Sequence, residues 1–417
     1  MEVCMEESMT VRLVREEEME ETRRLSAICF DYPYRGEEEE KKTKEGQDQK
    51  EKEQDPAGKN RQYGAFTPDN EMMASMAAIP LSFYYEGQAV PGYGIGNVCT
   101  YPHHRKKGAI RAMFEQMLTD AYREGCMLSY LYPFSESFYG KFGYCRMDHS
   151  LRYTLDLQGI PKKAWPGTFV LYQEGAEDVL AACKEAYAAY ACRFNLMVER
   201  GAEDWSILTD AKAALNNHYL YLYRDQTGKP AGYIVFWRKE DDLTCRELIF
   251  RDYETLGDIL AFMKGYASDY RHIRFHAPAV LRLDSMCTDY STYPAKIEKA
   301  MNGMVRVVNV REALSRAAYK GSGQIRIQVK DTLIAENDGI FSVDFTDGRA
   351  QEVRMLPAAE DDHEVWDVSM DAAVFSAAIM GDYDTADFDY LPRVQVRDEA
   401  VCGQVFYRKP SFINNFF

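Results

Sequence analysis

The chain has 417 residues, 66 acidic against 50 basic, and a formal net charge of -16 at pH 7. Such an acidic surface disfavours nucleic acid and anionic membrane as unassisted partners and favours cationic ligands, while the length asks for two or three separate cores. No apolar run is long enough to span a bilayer, and MEVCMEESMTVRLVREEEME has neither the basic nor the apolar region of a secretory leader, so a cytoplasmic location is expected.

In chain order, TVRLVRE (10–16) reads as a strand and EEMEETRRLSAICFDYPY as the helix after it. Residues 36–58 carry no apolar anchor and read as an acidic insertion, either a solvated loop or a lid. RQYGAFT, MMASMAAIPLSFYYEGQAV and GYGIGNVCTYP read as three strands, with EGQ as a hairpin signal. From 109 to 123 Ile110, Met113, Phe114, Met117 and Leu118 recur at helical spacing. LSYLYPF (128–134) reads as a buried strand and FGYCRMDHSLRYTLDL (142–157) as another, completing an α+β domain around a mixed sheet.

KKAWPG (162–167) reads as a linker, and the layout then repeats. A helix over 177–195 is followed by the strand pair HYLYLYRD and AGYIVFWRK, then ELIF, the helix LGDILAFMKGYASDY and the strand IRFHAPA. Beyond Pro294 a third pattern begins. Residues 304–318 suggest a helix, three antiparallel strands follow between 323 and 357, VSMDAAVFSAAIM suggests a capped helix, and AVCGQVFYRK suggests a closing strand.

The stretch VCTYPHHRKKGAIRAM (98–113) places a basic turn between a strand and a helix. Such a turn presents unpaired N–H groups from Arg105 through Lys106, Lys107, Gly108 and Ala109 to Ile110, where the helix dipole favours an anion. Gly108 lets a phosphate oxygen approach the backbone, and the main-chain edge of Val98, Cys99 and Thr100 can pair with an extended ligand arm. Ordinary surface charge is the competing reading. RDYETLGD, the corresponding turn of the second copy, lacks the RKKG sequence. No metal site is expected, since the ten cysteines form no CxxC pair and His103 and His104 are adjacent without an HExxH pattern. Trp165, Trp205, Trp237 and Trp366 form no cofactor pattern and default to core or interface.

VCTYPHHRKKGAIRAM resembles motif A of the GCN5-related N-acetyltransferases (GNATs), with Arg105, Gly108 and Ile110 at its marked positions, the last departing from the usual Gly or Ala. LYPFSESFYGKFGYCRMDHS (131–150) resembles the signature after the fifth strand in the enhanced intracellular survival (Eis-like) group. The resemblance spans essentially the whole chain. It implies an α+β fold of tandem GNAT-like mixed-sheet domains followed by a sterol-carrier-like (SCP2-like) α/β domain, divided as 1–160, 161–295 and 296–417, the second acetyltransferase copy being degenerate.

That resemblance implies an acetyl-CoA-dependent N-acetyltransferase acting on a small polycation such as an aminoglycoside or polyamine, or on a peptide lysine. It places the general acid on Tyr139, with Tyr144 as competitor, and the general base on the terminal carboxylate of Phe417. Ser135 and Glu136 are implied as cofactor contacts, with a helix cap as the alternative for Ser135. Asp31, Tyr32 and Tyr34 in FDYPY, together with Phe416, are the expected acceptor-side residues, and a homo-oligomer, a hexamer by resemblance, is implied. A lipid- or small-ligand-binding protein and an inactive assembly protein are the alternatives.

Overall fold

The computed structural model describes residues 9–34, 60–205, 208, 218–281, 283, 291–300, 303–357 and 366–415. The acidic insertion at 36–58 lies outside them, as do Phe416 and Phe417.

The first lobe is built on β1 (Thr10–Leu13), β2 (Arg61–Phe66), β3 (Met72–Tyr85), β4 (Gln88–Thr100) and β5 (Leu128–Leu131), with α1 (Met19–Phe30) and α2 (Ala109–Arg123) packed against them. The EGQ turn is the expected hairpin: Glu86 and Gly87 are both left-handed (φ 48° and 76°), which matches the twist of the flanking strands. Of the predicted α2 stripe, Met113, Phe114, Met117 and Leu118 are fully buried, whereas Ile110 is only half-buried.

The predicted strand over 142–157 is two strands in two sheets. β6 (Cys145–Arg146) stays in the first lobe, whereas β7 (Ser150–Asp156) crosses into the second. In return β14 (Met304–Val307), at the start of a segment expected to be helical, enters the first sheet between β5 and β6. Val305 and Val307 are β-branched and all four residues of MVRV are buried, which suits a central strand; the helix α6 (Val310–Arg316) starts after it, capped by Asn309. The first sheet therefore runs β1-β2-β3-β4-β5-β14-β6.

The second lobe repeats the layout. Helix α4 (Glu177–Ala191) packs on a sheet ordered β13-β7-β12-β11-β10-β9-β8, where β8 is Thr168–Leu171, β9 His218–Arg224, β10 Pro230–Lys239, β11 Asp242–Phe250, β12 His272–Pro278 and β13 Lys296–Lys299. Helix α5 (Tyr253–Met263) joins β11 to β12, as α2 joins β4 to β5.

The third unit is a five-stranded sheet, β17-β16-β15-β18-β19, of β15 (Gly323–Lys330), β16 (Gly339–Thr346), β17 (Arg349–Met355), β18 (Val368–Asp371) and β19 (Val394–Val396). Helix α7 (Ala372–Ile379) is buried along its whole length and capped by Asp371, as expected, and α8 (Thr385–Phe388) follows. AVCGQVFYRK does not form the expected closing strand. Asp398 accepts from the Val401 N–H and starts helix α9 (Glu399–Val405), so local capping outweighs the β-branched residues. A continuous core joins this unit to the first lobe, with Phe83, Tyr85 and Tyr130 packed among the same cluster as Ile327, Phe341 and Phe375. The fully buried Arg306 of β14 pairs with Asp331 beyond β15. Gly143 (φ 80°) makes room for that guanidinium, since a Cβ there would stand 2.8 Å from Nε.

Candidate active site

Strands β4 and β5 are parallel partners only from Gly92–Ile95 and Leu128–Leu131. Beyond Ile95, β4 runs on to Thr100 alone on that side. A bulge opposite Ser75–Ala77, with Asn97 left-handed at φ 50°, bends it away and opens a wedge. Ser26 on α1 donates to the Asn97 side chain (3.1 Å) and fixes the bend. Val98 packs on the lobe core. Cys99 is buried beside Leu25, Phe66 and Met72, and Thr100 accepts from the Cys29 thiol through its main-chain oxygen.

At the open end, Pro102–His104 form a short 3-10 turn, Lys106 is left-handed (φ 65°), and Gly108 precedes α2 at φ 83°. Gly108 has no capping side chain, so the N–H groups from Lys107 to Arg111 have no hydrogen-bond partner among the described residues. Arg105, Lys106, Lys107 and Gly108 are exposed and Ile110 is partly so, whereas Ala109 is buried and offers its backbone alone. Left-handed residues next to a helix start turn successive amides outward, a geometry suited to phosphate oxygens. Such a turn suits a phosphate-bearing ligand.

The second lobe fills the equivalent position itself. At the start of α5 the Asp252 carboxylate accepts from the Thr255 N–H (2.8 Å) and the Thr255 hydroxyl, and it pairs with Arg251 (3.0 Å), which also reaches Asp225. An internal anion already occupies that helix terminus.

Tyr139 ends the short helix α3 (Glu136–Tyr139) and is buried at 3 % exposure. Phe114, Phe134 and Phe138 meet its ring mostly edge-on, at centroid distances of 5.8, 5.3 and 5.2 Å. Its hydroxyl has no hydrogen-bond partner among the described residues, and burial, then the nearby Cys99 thiol, push its pKa up to about 12. The competitor Tyr144 is committed: its hydroxyl lies 2.7 Å from Ser129 Oγ in the core. Ser135 is a helix cap, accepting from the Phe138 N–H at 3.4 Å, and Glu136 pairs with Arg146 at 3.2 Å. Both line a cavity of about 450 Å³ with Phe134, Asp148 and Lys299.

The acceptor-side residues are less gathered. Asp31 closes α1 in the left-handed region, exposed, next to the exposed Tyr32, while Tyr34 donates to Glu20 at 2.5 Å. The C-terminal segment, by contrast, is laid down with care. Residues 195–199 bond to β3 on one side (Leu196 to Tyr84, Glu199 to Ser82) and to residues 410–412 on the other (Asn195 to Pro410, Phe412 to Asn195). Asn414 then donates to Glu247, whose carboxylate also takes two bonds from Arg200 (2.7 and 2.9 Å) and one from Tyr233. The Asn415 carbonyl accepts from Tyr132, immediately after β5. Sequence reasoning missed Tyr132, Arg200 and Glu247, whose role lies wholly in contacts distant along the chain.

Residues 10–147 match an acetyltransferase (GNAT) domain model, residues 196–307 match a second such model, and residues 310–412 match a sterol carrier protein domain model. An uncharacterized N-acetyltransferase of Streptomyces avermitilis is 33 % identical over 104 residues, 24 % of this chain and 25 % of that one, so the match spans a quarter of the relative's length. Three solved structures share the whole fold, each covering 98 % of this chain and 100 % of their own. They are a conserved Enterococcus faecalis protein of unknown function (21 % identical, TM-score 0.82), a GCN5-related N-acetyltransferase of Anabaena variabilis (20 %, 0.80) and Eis1 of Mycobacterium abscessus (17 %, 0.74). The chain thus carries tandem GNAT acetyltransferase domains followed by a sterol carrier protein domain. Its domains are those of an N-acetyltransferase, a class that uses acetyl-CoA.

Proposed function

We propose that the chain is an Eis-like enzyme whose first lobe moves the acetyl group of acetyl-CoA to a primary amine of a small polycation, such as an aminoglycoside or a polyamine. The observation that carries this reading is the contrast between the two helix starts. One is uncapped and open on a helix whose Phe114 packs on Tyr139, a tyrosine with no hydroxyl partner among the described residues; the other is closed by Asp252.

Acetyl-CoA supplies an activated thioester. The amides from Lys107 to Ile110 hold the diphosphate, and the free edge of β4 at Val98–Thr100 aligns the pantetheine arm as an added strand. Tyr139 holds its proton for the departing thiolate, its pKa raised by burial. The Phe417 carboxylate takes the proton from the amine; the Tyr132, Arg200 and Glu247 contacts, which dock the chain two residues earlier, support that role. Asp31 and the carboxylates of α1 draw the cation in, with Tyr32 and Tyr34 beside them. An acceptor-side role for Phe416 and assembly into a hexamer follow the resemblance alone. In the third unit Ile325, Ile327, Phe341 and Phe375 fill the core, which suits a scaffold presenting the tail.

Thiol release from acetyl-CoA, measured with aminoglycosides, polyamines and lysine peptides, tests this reading. Removing Phe417 is expected to abolish turnover while sparing acetyl-CoA affinity. Turnover restricted to lysine peptides would replace the proposed acceptor, and no turnover with any amine would reject the function.

A further inference from the structure

Beside the anion loop, three side chains converge that the acetyl-transfer chemistry does not use. The Glu71 carboxylate lies just before β3, and a single oxygen of it stands 3.5 Å from Nε2 of His103 and 3.5 Å from Nε2 of His104. All three ligand atoms fall within 4.8 Å of one another. His104 is 95 % buried by exposure (5 %), yet its Nε2 has no hydrogen-bond partner. On its other side Lys107 Nζ lies 3.4 Å from Nδ1. An ammonium can only donate, so the Lys107 approach favours Nδ1 as the lone-pair nitrogen, with Nε2 turned toward the Glu71 carboxylate 3.5 Å away.

We infer that Glu71, His103 and His104 form a binding site for a divalent transition cation of the zinc class. Bonds of about 2.1 Å in a tetrahedral site put ligand atoms about 3.4 Å apart, close to the 3.5 Å between the carboxylate oxygen and each imidazole nitrogen. Two imidazoles and one carboxylate suit such a cation, leaving the fourth position to water. The backbone is held on both sides: Thr67 and Glu71 bond reciprocally (2.9 and 3.1 Å), Tyr101 N–H reaches Met73, and His104 N–H reaches Tyr101. The backbone that carries the three ligands is therefore in place before a cation arrives. A cation on Nε2 moves the ring proton to Nδ1, so Lys107 loses its acceptor and is released toward the anion loop. Binding would pin the Pro102–His104 turn to the turn between β2 and β3, four residues before Gly108.

The test is titration of chelator-treated full-length protein with Co2+, followed by its visible absorption and by competition with Zn2+. The wild type is expected to take up one Co2+ per chain with a four-coordinate spectrum, displaced by Zn2+. His103→Ala and Glu71→Gln alter exposed side chains, so both are expected to fold normally and to weaken binding by about 10–100-fold. Equal affinity in the wild type and both variants, or no uptake by the wild type, overturns the assignment. Neither outcome depends on acetyl transfer.

Discussion

The hydroxyl of Tyr132 donates to the main-chain carbonyl of Asn415 over 2.9 Å, tying the end of β5, which leads into the Tyr139 helix, to the third residue from the chain's end. Tyr139 and the tail are thus referenced to one strand, although 276 positions separate Tyr139 from Asn415 along the chain (415 − 139). Tyr132→Phe removes that bond, worth about 1 kcal/mol, and is expected to lower kcat severalfold with little change in the acetyl-CoA KM. Steady-state kinetics checks it.

Arg200 and Glu247 anchor the same tail from the second lobe, with side chains 7 % and 2 % exposed. Arg200→Met leaves a buried carboxylate without its main partner and is expected to cost about 3–5 kcal/mol, whereas Arg200→Met combined with Glu247→Leu recovers most of that loss. Denaturant unfolding of the two variants decides it.

Tyr139→Phe keeps the ring in its aromatic surroundings and removes only the hydroxyl, so kcat is expected to fall about 10²–10⁴-fold with acetyl-CoA affinity kept. Burial raises this pKa above the ordinary value of 10.0 to about 12, so the group stays protonated through neutral and mildly alkaline pH. The pH profile of kcat should show no alkaline loss from Tyr139 below pH 10.

Gly108 and Asp252 offer a paired comparison. Gly108→Ala forces a Cβ into φ 83°, at about 1–2 kcal/mol, with open space around it, the nearest atom being Met9 Cε at 4.0 Å. The expected result is a raised acetyl-CoA KM. Asp252→Ala loses a helix cap, at about 0.5–2 kcal/mol, and should leave acetyl transfer unchanged. Calorimetry and thiol release on both variants test the pair.

Asp382, after α7, accepts from the Asp148 N–H at 3.0 Å, and burial pushes its pKa up from the ordinary 3.8 to about 6. A raised carboxyl pKa favours the protonated folded form, so its contribution is complete below the ordinary value and is lost as pH rises through about 6. Asp382→Asn can still accept that N–H and never ionises. Its Tm is expected to match the wild type in acid and exceed it above neutrality, as a pair of thermal scans would show.

Much of the fold was legible because α2, the β3–β4 hairpin and the repeated layout rest on local signals: a 3–4 residue stripe, an EGQ turn, a strand-helix-strand order. What was not legible was set by distant partners. β7 and β14 leave their sequence neighbours for the other lobe's sheet, and nothing in DHSLRYTLD or MVRV specifies which edge each will join. In AVCGQVFYRK one capping aspartate outweighed the strand-like composition. At the site, Gly108 and Tyr139 stood out within motifs, whereas Glu71 joined His103 and His104 only once the turn between β2 and β3 was folded beside them.

The central claim is that the open helix start of the first lobe holds the diphosphate of the acyl donor. A crystal structure of the chain with bound coenzyme A tests it most directly. Diphosphate oxygens are expected within hydrogen-bond distance of the main-chain amides from Lys107 to Ile110, with the thiol end approaching Tyr139. Diphosphate bound at the start of α5 in the second lobe, or anywhere outside the wedge between β4 and β5, would contradict it.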